Sequence, residues 1–169
     1  MPITQIIDFS GIWSFWYWVL VAVAWSMTSH FVLGVPYDFV IRAERQGGQV
    51  AEDCDTLVHI HVGRVLYHVE RGGPWIVGAA AFVLACLATL GFVLKVEIAV
   101  ALFMLVGPLA IVAGFTLRLA RRIRAENMRG ERLRRVIARR RFWNQFAGLV
   151  SILITVGIGM IWFYTANTF

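Results

Sequence analysis

Four long apolar runs separate the polar parts of the chain, at about residues 11–33, 74–94, 96–117 and 142–166. Each run is close to the roughly 20 residues with which an α-helix crosses about 30 Å of hydrocarbon. Backbone N–H and C=O groups must be paired internally in hydrocarbon, and the runs lack the alternation of a membrane β-barrel. The pattern therefore predicts an all-α integral membrane protein with four transmembrane helices.

The composition agrees with the pattern, because 59% of the residues are hydrophobic and only 15% are charged. Only Lys95 and Glu97 carry charge where the second and third runs meet, so we expect a sharp turn there and a hairpin of two helices. The runs occupy most of the chain. We therefore expect one membrane domain over residues 1–169, without a separate soluble domain.

The arginines predict the orientation. Residues 118–141 hold eleven Arg and two Glu, whereas residues 1–10 hold neither Lys nor Arg. Loops rich in Lys and Arg remain in the cytoplasm. With four spans, the loop of residues 34–73 is then also cytoplasmic, and both termini are extracytoplasmic. The small size and the arginine-rich loop favour a bacterial-type inner (plasma) membrane.

Small residues recur at helical spacing in three of the runs, which lets helix backbones approach closely in lipid. The stripes are Gly78, Ala81, Ala85 and Ala88 in the second run, Ala99, Gly107, Ala110 and Gly114 in the third, and Gly148, Ser151, Thr155 and Gly159 in the fourth. Pro108 is expected to bend the third helix. We expect these three spans to form a compact group, with the bulkier first span either looser or presented to a partner.

The cytoplasmic loop of residues 34–73 carries its own helical signals. Pro36 can open a short helix that ends at Gln46, Gly47 and Gly48 break the chain, and a second helix can start near Glu52 or Asp53. An apolar stripe follows at helical spacing: Val58, Val62, Val65 and Val69. We expect an amphipathic helix along the membrane surface or against the arginine-rich loop. Apolar and polar residues alternate over residues 58–62, so a short strand is the alternative prediction there.

Histidines supply the candidate ligands for a metal or haem: His30 at the inner end of the first run, and His59, His61 and His68 in the loop, near Cys54 and Asp55. On a helix His61 and His68 are about 10 Å apart in axial rise, too far to share one ion. On a strand His59 and His61 would share a face. No zinc, phosphate-loop, dinucleotide or nucleophile motif is present. We therefore expect no cofactor, no metal and no enzymatic activity.

The arginine-rich segment, residues 118–141, is predicted to be a helical hairpin that continues the third and fourth helices and turns at Gly130. Its predicted partner or lipid contacts are Arg121, Arg122, Arg124, Arg132, Arg134, Arg135 and Arg139. Arginine suits bidentate contacts with carboxylates or phosphates. We expect an acidic partner protein and anionic lipids here. Nucleic acid is not expected, because the segment lacks an aromatic stacking platform.

The interiors of the runs lack the charged residues that ion pathways and proton relays normally use. The sequence therefore favours a non-catalytic membrane subunit or accessory factor that binds a larger membrane complex, of the respiratory, photosynthetic, transport or secretion type. Two alternatives stay open. One is a small transporter or channel component for a neutral solute, and the other is an electron-transfer subunit associated with haem or quinone.

Overall fold

A computed structural model describes residues 15–167 of the chain, with side chains described for residues 15–161. Its elements are α1 (Phe15–His30), β1 (Phe31–Val32), β2 (Val35–Pro36), α2 (Tyr37–Gln46), α3 (Gly48–Ala88), a π-helical segment (Thr89–Val93), α4 (Glu97–Glu126) and α5 (Gly130–Asn167). The all-α prediction is confirmed. Within residues 15–167 the one departure is the pair β1 and β2, a two-residue antiparallel ladder.

Three helices are long and apolar enough to cross a membrane: α3 with its π-helical segment, α4 and α5. The first predicted span is represented by α1, which has 16 residues. Residues 11–14 of that span lie outside the described part of the chain. The predicted turn between the second and third spans is confirmed, because Lys95 adopts a positive φ of 56° directly before α4 begins.

The predicted loop helix and the predicted second span are one continuous helix. One helix of 41 residues, α3, passes through Pro74 without interruption. Proline is tolerated inside membrane helices where other groups form a hydrogen bond with the carbonyl oxygen that the missing proline N–H leaves unpaired. The helix begins at Gly48, before the predicted start near Glu52. The predicted strand over residues 58–62 is wrong, because these residues lie within α3, and a position of this helix along the membrane surface stays a prediction.

The first predicted span ends earlier than residue 33. Helix α1 ends at His30, and the chain then turns through Leu33 and Gly34, whose φ values are 57° and 77°. Two consecutive positive φ values suit the two-residue turn of a hairpin, in which glycine is favoured because it has no Cβ. The turn joins β1 to β2 and directs the chain into α2.

The arginine-rich segment forms the predicted helical hairpin. Asn127, with a left-handed backbone, ends α4, and Gly130, at a φ of 63°, begins α5. The hairpin packs against α2 and α3, and we call the unit that these elements form the head. The hydrophobic cluster at its centre is the head core. Its buried members are Val32, Leu33, Val35, Val40, Ala43, Cys54, Val58, Val62, Leu66, Ala120, Ile123, Met128, Leu133 and Ile137. This confirms the predicted packing of the loop helix against the hairpin.

The buried stripe of α3 differs in part from the predicted one. Cys54, Val58, Val62 and Leu66 are buried, at intervals of four residues, whereas Val65 is 38% exposed. Positions four residues apart lie on nearly the same side of an α-helix, because one turn contains 3.6 residues. Packing on one narrow side therefore buries every fourth residue. The sequence pattern found the centre of this face and missed its two ends.

A second cluster, the span core, lies in the apolar half. It contains Tyr17, Val21 and Trp25 of α1 and, from α4, Val100, Ala101, Leu105 and Val112. Helix α1 thus packs against the bundle, so the expectation of a looser first span is wrong, whereas presentation of its outer face to a partner stays a prediction. The small residues of α5 lie on its packing face, as predicted: Gly148, Ser151, Thr155 and Gly159 are all buried.

The small residues of the second run do not pack as expected. Gly78, Ala81 and Ala85 are exposed, and only 6% of the apolar window of α3 is buried, against 28% for α4 and for α5. In α4 the stripe is buried at Ala99 and exposed at Gly114. Close packing is decided by which helices become neighbours, and one sequence stripe does not contain that information.

Candidate functional site at the arginine-rich hairpin

Two polar side chains of α3 form hydrogen bonds with the backbone at the turn of the arginine-rich hairpin. The carboxylate Oδ2 of Asp55 accepts a hydrogen bond from the Gly130 N–H, at 2.5 Å. His59 Nε2 lies 2.9 Å from the carbonyl oxygen of Met128. These bonds satisfy backbone groups that the helix ends leave unpaired. Asp55 and His59 therefore position the hairpin. The sequence pattern did not predict this structural role.

The other candidate ligands are dispersed. His61 lies beside Gly34, where an added Cβ would be 2.8 Å from His61 Nδ1. His68 bonds to the Arg64 carbonyl oxygen of its own helix, at 2.7 Å, and His30 packs its ring edge against Phe31. Within the described residues no three His, Cys, Asp or Glu side chains lie close enough together to hold a metal ion. The structure thus does not bring the predicted ligand set together.

Most of the predicted contact arginines already have carboxylate partners in the chain. The ion pairs are Arg122 with Glu126, Arg124 with Glu70, Arg132 with Glu126, Arg134 with Asp55 and Arg135 with Glu131. Four of these five pairs are exposed, and exposed ion pairs contribute little to stability, so a partner can replace them. The pair of Arg134 and Asp55 differs, because its side chains are only 15% and 14% exposed. We therefore assign Arg134 to the interior of the head and not to its contact surface.

Other arginines have no such partner. Within residues 15–161, Arg118, Arg121, Arg139 and Arg140 form no ion pair with a carboxylate. Three of the four line a depression of 260 Å³, together with Phe115 and Trp143. We call it the arginine depression. Its three arginines without a carboxylate partner in the described part of the chain are Arg118, Arg139 and Arg140, and its remaining lining residues are Leu119, Arg122 and Val136.

Arg140 is the most constrained of the unpaired arginines. Its Nη2 donates to the Val112 carbonyl oxygen at 2.7 Å and lies 3.3 Å from Thr116 Oγ1. Its guanidinium carbon is 5.6 Å from the ring centre of Phe115, a cation–π distance. Its Nε is buried without a hydrogen-bond partner. Arg118 and Arg140 are not among the predicted contact arginines, although each lies within two residues of the end of an apolar run.

An apolar groove between α4 and α5 begins at Arg140. It has a volume of 580 Å³. Ile111, Val112, Phe115, Ala147, Val150 and Ile154 form most of its walls. The groove and the arginine depression share Phe115, Arg140 and Trp143. We call it the α4/α5 groove. It combines apolar walls with cationic groups at the end that faces the head.

Comparison of the chain with protein-family models, curated proteins and solved structures gives no match. The residues and their geometry are therefore the whole basis for the functional argument.

Proposed function

We propose that this protein is a non-catalytic subunit or accessory factor that binds a larger membrane complex. The proposed contact is the part of the exposed hairpin surface that carries Arg121, Arg129 and Arg132. The observation that carries the proposal is the excess of arginine on a packed support: eleven Arg against two Glu in residues 118–141, held by the head core. A fixed cationic surface attracts and orients an acidic partner, because its charges need little further ordering on binding.

The distribution of exposed arginines supports a protein contact. Arg121 and Arg129 are exposed and have no carboxylate partner within the described residues, and Arg132 is paired only through an exposed contact with Glu126. Carboxylates of a partner can bind such side chains without first breaking a buried ion pair. Arginine also offers a planar set of donors that fits carboxylates at two points. These features favour a surface with several acidic side chains as the partner.

The membrane half supports the same proposal through α3. Its apolar window is far less buried than those of α4 and α5, and Trp75 and Phe82 are 84% and 70% exposed. Next to them, Gly78 has no atom within 4 Å of the position of an added Cβ. A face of this kind permits another helix to approach closely. We propose that α3 contacts the partner complex within the membrane.

The proposed topology follows the arginine distribution. Four spans, including α1, would place both termini and the Lys95 turn outside the cytoplasm and the head inside it. The proposed location is an inner membrane of bacterial type.

Co-purification tests the function. The tagged protein is extracted in mild detergent from its own cells, and associated proteins are identified for the unaltered chain and for a variant with Arg121→Glu and Arg132→Glu. We expect a defined membrane complex in stoichiometric amount, and at least tenfold lower recovery of it with the variant. A matched control carries Arg42→Glu and Arg45→Glu on α2, which changes the net charge equally at exposed positions outside the hairpin.

Two results would contradict the proposal. Equal recovery of the complex with both variants would remove the hairpin from the contact. A chain that always purifies alone would remove the subunit role. Solute flux in liposomes containing the lone protein would then support a transporter for a neutral solute, and a haem absorption band would support an electron-transfer subunit.

A further inference from the structure

The α4/α5 groove has the dimensions of a ligand site. Its 580 Å³ lies within the roughly 300–1,000 Å³ that small-molecule sites occupy. Arg140 and Ile154 both line it and are fourteen residues apart on α5, which corresponds to about 21 Å along the helix axis. An elongated apolar space of this length suits a hydrocarbon chain that lies parallel to the helices.

The cationic end of the groove lies where lipid headgroups are found. Arg118 directly follows Leu117, the last residue of the third apolar run, and Arg140 precedes the fourth run by two residues. Trp143, which lines both the groove and the arginine depression, belongs to the residue type that concentrates at membrane interfaces. We therefore expect the charges of the depression to lie at the boundary between hydrocarbon and water.

Three of the four arginines that line the depression lack a negative partner within the described residues, and the fourth, Arg122, pairs with Glu126. No Asp or Glu lines the groove or the depression, and Arg118, Arg139 and Arg140 form no ion pair within residues 15–161. Burial of part of a guanidinium without a counter-charge costs free energy. The buried Nε of Arg140 also has no hydrogen-bond acceptor among the described residues, which costs further free energy. A phosphate group supplies both the charge and the acceptor oxygens, in the geometry that arginine binds at two points.

From these observations we propose that the α4/α5 groove and the arginine depression form one binding site for an anionic phospholipid. The phosphate headgroup lies against Arg118, Arg139 and Arg140, and one acyl chain lies in the groove between Val112 and Val150. This site is separate from the proposed protein contact, which uses Arg121 and Arg132. The two proposals can therefore fail independently.

Native mass spectrometry of the detergent-purified full chain tests the site. Phosphatidylglycerol and phosphatidylcholine with the same acyl chains are added in parallel. We expect one phosphatidylglycerol to remain bound, with at least tenfold preference over phosphatidylcholine. A variant with Arg118→Gln and Arg139→Gln should lose at least tenfold in phosphatidylglycerol binding. A control with Arg132→Gln and Arg135→Gln, which removes the same charge outside the depression, should bind as the unaltered chain does.

The groove is tested separately from the charges. Val150→Trp fills it, whereas Leu153→Trp places the same side chain on α5 at a residue that is 62% exposed and does not line the groove. We expect only Val150→Trp to displace the lipid. Retained helix content, measured by circular dichroism, confirms that each variant is folded. An excess of inorganic phosphate should not displace the lipid, because it has no acyl chain.

Several results would overturn the proposal. Equal binding of phosphatidylcholine would show that the arginines do not select the headgroup. Unchanged binding in the Val150→Trp variant would reduce the effect to general attraction at the membrane surface. Displacement by inorganic phosphate would identify a phosphate site without a lipid chain. Loss of a co-purified protein, with lipid retained, in the Arg118 and Arg139 variant would assign the depression to the protein contact.

Discussion

Arginines of the same charge occupy three different environments in this protein. Arg134 is largely buried beside Asp55, Arg132 pairs with Glu126 at the surface, and Arg140 donates to the backbone of α4. Substituting each of them removes the same formal charge. The consequences should differ, because a buried ion pair, an exposed one and a hydrogen bond to a carbonyl contribute to folding and binding in different ways.

We expect Asp55→Asn to destabilise the head by about 1–3 kcal/mol, because it leaves the partly buried Arg134 guanidinium, 3.8 Å from Asp55, without a counter-charge. Circular dichroism during urea unfolding in detergent measures the change. Asp53→Asn serves as the control, since Asp53 is exposed and accepts only from Gln49 of its own helix. If the two variants unfold at the same urea concentration, the pair of Asp55 and Arg134 has no structural importance.

Polar side chains in the apolar half also satisfy the backbone. Asn144 Nδ2 donates to the Thr28 carbonyl oxygen near the end of α1, at 3.1 Å. Pro108 has no N–H to offer the Met104 carbonyl, and Ser151 Oγ, at 3.4 Å, donates to that oxygen from α5. Asn144 and Ser151 thus each donate a hydrogen bond to the backbone of a neighbouring helix. The prediction of a bend at Pro108 stays a prediction, although α4 continues through it.

At the scale of helices, the contact of α1 with α5 depends on one glycine. A Cβ built at Gly148 would lie 2.8 Å from Cε3 of Trp25, which is buried in the span core. The backbone of α5 thus approaches the indole ring as closely as the absence of a side chain permits. This contact explains why α1 packs against the bundle although its surface is bulky.

We expect Gly148→Ala to separate α1 from α5 and to destabilise the protein by about 1–3 kcal/mol, because the added methyl overpacks the contact. Gly157→Ala on the same helix is the control. Its Cβ would meet no atom within 4 Å, and alanine is the better helix former. Proteolysis between α1 and α2, followed over time in detergent, reports the separation. Equal cleavage of the two variants would contradict a tight contact at Gly148.

For the whole molecule, the proposed topology makes a prediction that labelling can test. Both native cysteines are replaced by alanine, and single variants Thr4→Cys, Lys95→Cys and Arg129→Cys are treated with a membrane-impermeant maleimide on intact cells. We expect the first two to react and the third to react only after permeabilisation, because both termini and the Lys95 turn should be extracytoplasmic.

Each other labelling pattern has a definite meaning. Protection of Thr4→Cys together with reaction of Lys95→Cys would show that α1 does not cross the membrane. Reaction of Arg129→Cys alone would invert the proposed orientation. Either result would contradict the four-span topology as it is proposed, while leaving the three long apolar helices unchanged.

The sequence by itself determined the helical class, the second, third and fourth apolar spans, the Lys95 turn and the arginine-rich hairpin with its turn at Gly130, while the count of four spans stays a prediction. These follow from local properties, since hydrocarbon requires backbone pairing within each segment and glycine permits positive φ. Of the site residues, it selected the hairpin arginines and the loop histidines. It did not separate Arg134, which is interior, from Arg132, which is exposed.

Only the tertiary structure decided which faces meet. It placed Trp25 against Gly148, carried α3 unbroken through Pro74 and used Asp55 and His59 to hold the hairpin turn. It also joined Arg118 and Arg140, which are distant in sequence, at one end of the α4/α5 groove. The physical reason is that contacts between helices depend on relative position and rotation. Periodicity within one helix records which residues share a face and not what that face will touch.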